Sequence, residues 1–281
     1  MLDQNRIGFI GSGIMAEAMI KGLLREGLVE PEQICASGPR PERGEQLVER
    51  YSVGTTTENL EAAREADIVV LSTKPQVLCR VLEELAGHVK PDALVLSIVA
   101  GAPMATIRSM LGTEAVVRVM PNTPAQIGMG MSVWTATEAT TEKQKEQALT
   151  ILQALGEEVF VGDEAYLDMA TALSGTGPAY VFLLMEAMVD AGVHLGFSRH
   201  VSERLVIETL RGSVEYARQT PRHLATLRNQ VTSPGGTSAE AIYHLEKGGL
   251  RTVLSRAIWA AYQRSRILGS QAERDGGEGP C

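Results

Sequence analysis

The sequence predicts an α/β protein in which a doubly wound sheet at the amino-terminal end is followed by an all-helical carboxy-terminal domain. Three observations carry this. A strand, a glycine turn and a helix follow one another over residues 7–16, apolar strand runs and helices then alternate up to about residue 162, and strand signals stop after that point. A length of 281 residues suits two domains, and an apolar content of 44% is enough to bury a core.

The opening strand, Ile7-Gly8-Phe9-Ile10, runs into Gly11-Ser12-Gly13 and then into a helix beginning at Ile14 and Met15, with Ala16 in its first turn. This is the alanine form of the G-x-G-x-x-G/A dinucleotide fingerprint of a Rossmann-like sheet. Gly11 permits a sharp turn, Gly13 lets a pyrophosphate approach the backbone, and Ala16 lets the helix lie close to the strand. Free N–H groups and the positive end of the helix dipole would then face the anion. The bland alternative is an ordinary strand–helix turn. The helix should span residues 14–26 with Ala18, Ile20, Leu23 and Leu24 towards the sheet, and stop at Gly27.

A second strand is expected over residues 34–37. Dinucleotide sites that prefer NAD place a carboxylate near the end of this strand, but here Ser37-Gly38-Pro39-Arg40 has none before Glu42. A hydroxyl at Ser37 with Arg40 and Arg43 behind it suits a 2′-phosphate, so NADPH is expected as the preferred cofactor, with NADH as the alternative. Both arginines could instead simply solvate the next helix.

Residues 68–71 are apolar on both faces, as an interior parallel strand should be, and end at Thr73-Lys74-Pro75. Ligands of open α/β sheets lie beyond the carboxyl ends of the strands, which gives Lys74 a place at a site, although a loop lysine is by default a solvated charge. Residues 94–100 repeat the pattern and close at Gly101. Residues 116–120 repeat it again before Pro121-Asn122-Thr123-Pro124, a stiff loop that either presents Asn122 to a ring or is only a turn. Short strands over 131–135 and 157–161 should flank a helix over 142–155, capped by the Thr141/Gln144 box.

Beyond Gly162 helices are expected over 164–196, 199–219, 221–228, 237–247 and 249–269, the first interrupted at Ser174-Gly175-Thr176-Gly177-Pro178. The expected division is therefore 1–162, 163–270, and a charged, glycine-rich tail over 271–281 expected to be disordered. The segment after Pro178 is apolar nearly all round, so it is either a dimerisation helix or the buried centre of the helical domain. The loop Val231-Thr232-Ser233-Pro234-Gly235-Gly236-Thr237-Ser238 has the makings of an anion nest for a carboxylate, or of an ordinary helix cap.

Several function classes are disfavoured. A net charge of −8 without a basic cluster argues against a nucleic-acid surface. Cys35, Cys79 and Cys281 lack the spacing of a disulfide framework or a zinc site, and the five histidines lack metal or triad partners, so no metal is expected and a reducing cytoplasm is. Neither a signal peptide nor a membrane span is expected. There is no nucleophile elbow and no Walker lysine, which suits hydride transfer, a reaction that needs positioning more than a nucleophile.

Five segments together resemble the pyrroline-5-carboxylate reductase family: residues 8–16, Thr73-Lys74-Pro75, Met120-Pro121-Asn122-Thr123-Pro124, residues 173–180, and residues 231–238. The resemblance implies NADPH- or NADH-dependent reduction of L-1-pyrroline-5-carboxylate to L-proline, and homodimers joined through the helical domain, often assembled further into decamers. It implies cofactor contacts at Ser12, Ile14, Met15, Asn59, Thr73, Lys74 and Ala100 beside Gly11, Gly13, Pro75 and Asn122, with Ser37 and Arg40 near the adenosine phosphate. It implies a substrate site of Gly235, Gly236, Thr237 and Ser238, with Glu164 and Ser174 nearby and with Ser238 or Thr176 as the proton source unless the imine arrives protonated. Two departures stand out: the family's Gly-Gly-x-Thr ends here in Ser238, and Gln230 stands where the family has asparagine, so the cofactor contact implied for that asparagine falls to the longer Gln230. The rival readings are a β-hydroxyacid dehydrogenase, disfavoured because no lysine follows Pro178 until Lys247, and a sensor that binds NADP(H) without turnover.

Overall fold

The structure, a computed structural model, describes Leu2 and residues 4–275. Its first part alternates as β1 (Ile7–Ile10), α1 (Ile14–Arg25), β2 (Ile34–Ser37), α2 (Pro41–Tyr51), β3 (Gly54–Thr56), α3 (Asn59–Arg64), β4 (Ile68–Leu71), α4 (Pro75–Leu85), β5 (Leu94–Ser97), α5 (Met104–Leu111) and β6 (Val116–Met120). There follow β7 (Gly130–Ala136), α6 (Glu142–Gln153) and β8 (Gly156–Phe160). The eight strands form one sheet in the order β3-β2-β1-β4-β5-β6-β7-β8.

Each central strand is apolar on both faces because each face has its own helical layer. Ile7, Phe9, Ile68, Val70, Leu94 and Leu96 pack with Met19, Ile20 and Leu23 of α1 and with Ile151 and Leu152 of α6. Ile10, Val69, Leu71 and Val95 pack on the other side with Leu78, Leu82 and Leu85 of α4 and Ile107 of α5. The helix signals hold locally: Gly27 is left-handed after α1, and the Thr141/Gln144 capping box is formed at the start of α6.

Two features depart from the expected parallel sheet. The strand β3 was not expected, being only three residues of Gly-Thr-Thr at the sheet edge. All neighbouring strands are parallel except β6 and β7, which pair antiparallel. The link between them, residues 121–129, holds only a 3-10 turn at Thr123–Ile127, too short for the crossover that a parallel return requires.

After β8 come α7 (Tyr166–Ala170), a π-helical turn at Thr171–Gly175, α8 (Gly177–His194), α9 (Arg199–Gln219), α10 (Leu224–Gln230), α11 (Thr237–Lys247) and α12 (Leu250–Asp275). By proximity the chain divides into a first unit ending at Thr176, which also takes the chain from Ala261 onward, and a second unit, Gly177–Ala260. The boundary expected at 162 thus falls later. Leu167, Ala170 and Ala172 are buried in the first unit, and Ser265 donates to Asp168 at 2.8 Å. The tail expected from 271 is helical as far as Asp275, and its remainder lies outside the described residues.

The expected break at residues 174–178 takes the form of the π turn. Pro178 has no N–H for the carbonyl four residues before it, and one extra residue in the turn absorbs the misfit. Thr176 N donates to Thr171 O at 2.8 Å, the five-residue spacing of a π turn. The path therefore continues as one helix over Tyr166–His194, which by length and composition alone is apolar enough to cross a membrane, against the sequence expectation. Within the second unit only Val189 of α8 is buried, while Val181, Phe182, Leu183 and Leu184 are exposed, so α8 is not the buried centre of a bundle within one chain. Here α8 and α9 lie close together at Gly192, where an added Cβ would come within 2.6 Å of Ser202 Oγ.

Candidate active site

The strand order reverses between β1 and β4, and at their carboxyl ends lies the crevice where open α/β sheets bind nucleotides. The turn after β1 is fixed from beneath: Ser72 Oγ donates to Gly11 O at 2.7 Å, and Gly11 has φ +110 with Ser72 O only 2.7 Å from where a Cβ would stand. Gly13 faces open space and caps α1 with no side-chain hydrogen bond. The first-turn N–H groups, at Ile14 and Met15 among others, are thus offered outward. Ile14 is exposed and Met15 half-buried against the core.

From this turn a cleft of about 590 Å³ opens towards the ends of β2 and β3, lined by Ser12, Gly38, Arg40, Glu45, Glu49 and Thr56 among others. Arg40 is exposed and makes no side-chain hydrogen bond or ion pair among the described residues, so it is the cation available to a phosphate there. The other two groups expected beside it are engaged elsewhere. Ser37 is fully buried, and its hydroxyl donates to Asn59 Oδ1 at 2.7 Å, while Asn59 Nδ2 donates to Glu84 at 2.8 Å. Both side chains thus brace the ends of β2 and α3, because the serine falls on the inward face of its strand. Arg43 pairs with Glu17 and donates through Nε to Ser12 O at 2.9 Å, holding the glycine turn from behind.

Glu17 gathers Arg43, Arg50 at 2.9 Å and Tyr51 at 3.0 Å. Burial pushes its carboxyl up, but the hydrogen bonds from Arg43, Tyr51 and Arg50 outweigh this and hold it below the usual range. The sequence reading missed this cluster.

On the β4 side, Lys74 and Pro75 start α4 and are exposed, and the buried Thr73 Oγ1 has no hydrogen-bond partner among the described residues. Ala100 lies half-buried in the exit from β5. An orphaned hydroxyl, an uncapped helix terminus and an open glycine on one crevice are what a nicotinamide dinucleotide requires, and the residues present fit it.

Asn122 joins two backbone segments: Nδ2 donates to Ser174 O at 3.1 Å and Oδ1 accepts from Met131 N at 2.9 Å. Ser174 Oγ donates to Ala170 O at 3.0 Å and Thr176 Oγ1 to Thr171 O at 2.7 Å. Each hydroxyl proton is thereby engaged, so Thr176 retains lone pairs to accept with but no free proton to donate. Glu164 Oε1 accepts from Arg118 Nη1 at 2.7 Å and from Met104 N at 2.8 Å, a role that leaves it beside the crevice as a brace. Arg118 was also missed. The signal was a lone charge in the otherwise apolar strand Val-Val-Arg-Val-Met.

In the second unit the loop before α11 is a tight turn, with Gly235 left-handed at φ +70 and Gly236 N donating to Ser233 O at 3.0 Å. The expected pair of open glycine N–H groups is therefore reduced, since that of Gly236 closes the turn. The groups left facing outward are the N–H groups and hydroxyls of Thr237 and Ser238, at a helix start with no side-chain cap. Gln230 ends α10 and is exposed.

Fold and crevice together define a two-part dehydrogenase-type oxidoreductase with a nicotinamide dinucleotide site on its sheet. The family model described as pyrroline-5-carboxylate reductase dimerisation matches residues 164–268, and one described as NADP oxidoreductase, coenzyme F420-dependent, matches residues 6–101. A pyrroline-5-carboxylate reductase of Pseudomonas aeruginosa is 43% identical over 95% of this chain and 97% of its own, and one of Synechocystis 40% identical over 95% and 99%. The solved pyrroline carboxylate reductase of Plasmodium falciparum with NADP bound superposes with a TM-score of 0.87 at 31% identity, covering 95% of this chain and 99% of its own. The chain belongs to the pyrroline-5-carboxylate reductase family. A prephenate dehydrogenase of A. aeolicus, at 14% identity and a TM-score of 0.54, shares the fold alone.

Proposed function

We propose that this chain reduces L-1-pyrroline-5-carboxylate to L-proline with NADPH as its preferred reductant. The observation that carries the reading is that one chain of this family holds two helix starts without side-chain caps, of different kinds, the glycine turn at α1 and the hydroxyl-bearing start of α11. The first suits a dinucleotide pyrophosphate. The second suits the carboxylate of a small substrate.

When bound, the reduced nicotinamide supplies a hydride to the C=N carbon. The chain's own groups bind and orient. Gly11, Ser12, Gly13, Ile14 and Met15 present backbone to the pyrophosphate, Arg40 meets the 2′-phosphate, and Thr73, Lys74, Pro75 and Ala100 line the crevice where the ring would lie. Ser37 and Asn59 support this site from inside. Asn122 fixes the loop after β6, and Gln230 is the family asparagine's replacement.

In the second unit Gly235 and Gly236 shape the turn that aims the N–H groups and hydroxyls of Thr237 and Ser238 at the carboxylate. The Ser238 hydroxyl, with no hydrogen bond given to it among the described residues, is the group available to place or give a proton at the imine nitrogen. Thr176, with only lone pairs left, would accept from an N–H already there. The exposed apolar face of α8 is the surface a second copy would cover.

The test is to follow NADPH consumption and proline formation with the purified protein. Turnover of the five-membered imine, faster with NADPH than with NADH, is expected. Tight NADPH binding without turnover of any cyclic imine would favour a sensor.

A further inference from the structure

Arg118 is 6% exposed in the middle of β6, and none of the binding roles above uses it. A buried guanidinium is costly unless paired, and its partner is Glu164, just before α7, at 2.7 Å. The same oxygen, Glu164 Oε1, also accepts from the amide of Met104, the first residue of α5, at 2.8 Å. Met104 closes the loop that leaves β5 through residues 98–103. The near end of that loop is held by Ile98 N on Leu71 O at 3.0 Å and by Val99 N on Ser97 Oγ at 3.3 Å. Its far end is fastened by the Met104–Glu164 bond and stiffened by Pro103 at the cap of α5.

We propose that Arg118 and Glu164 are positioning residues that set the height of the 98–103 loop at the carboxyl end of β5. Arg118 fixes the carboxylate, the carboxylate fixes the Met104 amide, and the amide fixes the loop that carries Ala100. The inference rests on the dinucleotide reading of the crevice for its catalytic consequence, but not for its structural one. It also gives Glu164 a role other than contact with substrate. A charge-assisted bond to a backbone amide holds better than a neutral one, which is why a carboxylate rather than an amide stands at 164.

The experiment compares wild type with Glu164→Ala and with the double variant Arg118→Met/Glu164→Leu. Replacing a buried ion pair by apolar side chains of similar size is often neutral for stability, so the double variant separates positioning from mere stability. In protein without ligand, amide exchange at Met104 and along the loop is expected to quicken at least about tenfold in both variants, while β1 and β4 amides keep their protection. With saturating NADPH and imine, kcat is expected to fall about 10- to 100-fold in both, although the double variant melts near wild type, because a displacement of about 1 Å at a reacting centre has that effect. The affinity for 2′,5′-ADP should stay within about twofold, since Arg40 and the glycine turn are untouched.

Unchanged Met104 protection in Glu164→Ala would overturn the proposal. So would a double variant with wild-type melting and wild-type kcat, which would leave the pair a structural one. If the exchange result holds while wild type itself reduces no imine, the loop assignment stands and the functional reading falls.

Discussion

Asn122 Nδ2 donates to the carbonyl of Ser174 at 3.1 Å, and Ser174 is the residue four before Pro178. In a regular helix that carbonyl would receive the N–H of residue 178, which proline lacks. A side chain from the loop after β6 supplies the donor, while its oxygen holds Met131 N. The π turn is thus tied to the sheet at the one carbonyl left open by proline. Asn122→Asp, which keeps the shape and the acceptor but removes the donor, is expected to lower stability by about 1–3 kcal/mol, read as a drop in urea midpoint. Unchanged stability would mean that water serves the Ser174 carbonyl equally well.

Arg40 is the one arginine of the expected pair that stays uncommitted at the cleft. Arg40→Ala is expected to raise the NADPH KM about tenfold or more and to leave the NADH KM nearly unchanged, since a charge-assisted phosphate contact is worth about 1.5–3 kcal/mol. Equal effects on the two cofactors would assign phosphate recognition elsewhere.

Ser238 and Thr176 differ in what their hydroxyls can still do. Ser238→Ala is expected to lower kcat about 100-fold with the melting temperature retained, as removal of a proton-placing group does. Thr176→Val should cost stability as well, because its hydroxyl closes the π turn on Thr171 O. A Ser238→Ala enzyme with normal kcat would leave the imine to arrive protonated.

Glu17 gives the glycine turn a pH dependence. Its folded pKa lies below the reference value of 4.5, so the cluster stabilises the fold above about that pH and loses this contribution as pH falls through the folded value. Glu17→Gln should therefore melt below wild type at neutral pH, and the gap should close as pH falls through the folded value. A gap in melting temperature that persists below it would show that the carboxylate's charge is not what holds Arg43 on Ser12 O.

What could be read from the sequence follows from how local each device is. The glycine turn, the stop at Gly27 and the Thr141/Gln144 cap involve neighbours within a few residues, and the central strands declare their two buried faces by composition. The side-chain braces were not readable, because their partners lie far along the chain: Arg43 reaches Glu17 across 26 residues, Asn122 reaches Ser174 across 52, and Met104 reaches Glu164 across 60. Ser37 shows the reverse error. Its place at the end of a strand suggested a phosphate contact, but the inward face of that strand takes its hydroxyl to Asn59. The antiparallel return of β7 was equally hidden, since strand runs carry no direction and only the length of the link decides it.

The central claim is that this chain carries hydride from the reduced nicotinamide to the C=N carbon of pyrroline-5-carboxylate. NADPH carrying deuterium at nicotinamide C4, in the transferred position, tests it most directly. Incubated with pyrroline-5-carboxylate and the protein, it should yield proline bearing deuterium at the ring carbon that was doubly bonded to nitrogen, in equal amount to the NADP⁺ formed. Proline without the label, or oxidised cofactor without proline, would contradict the account.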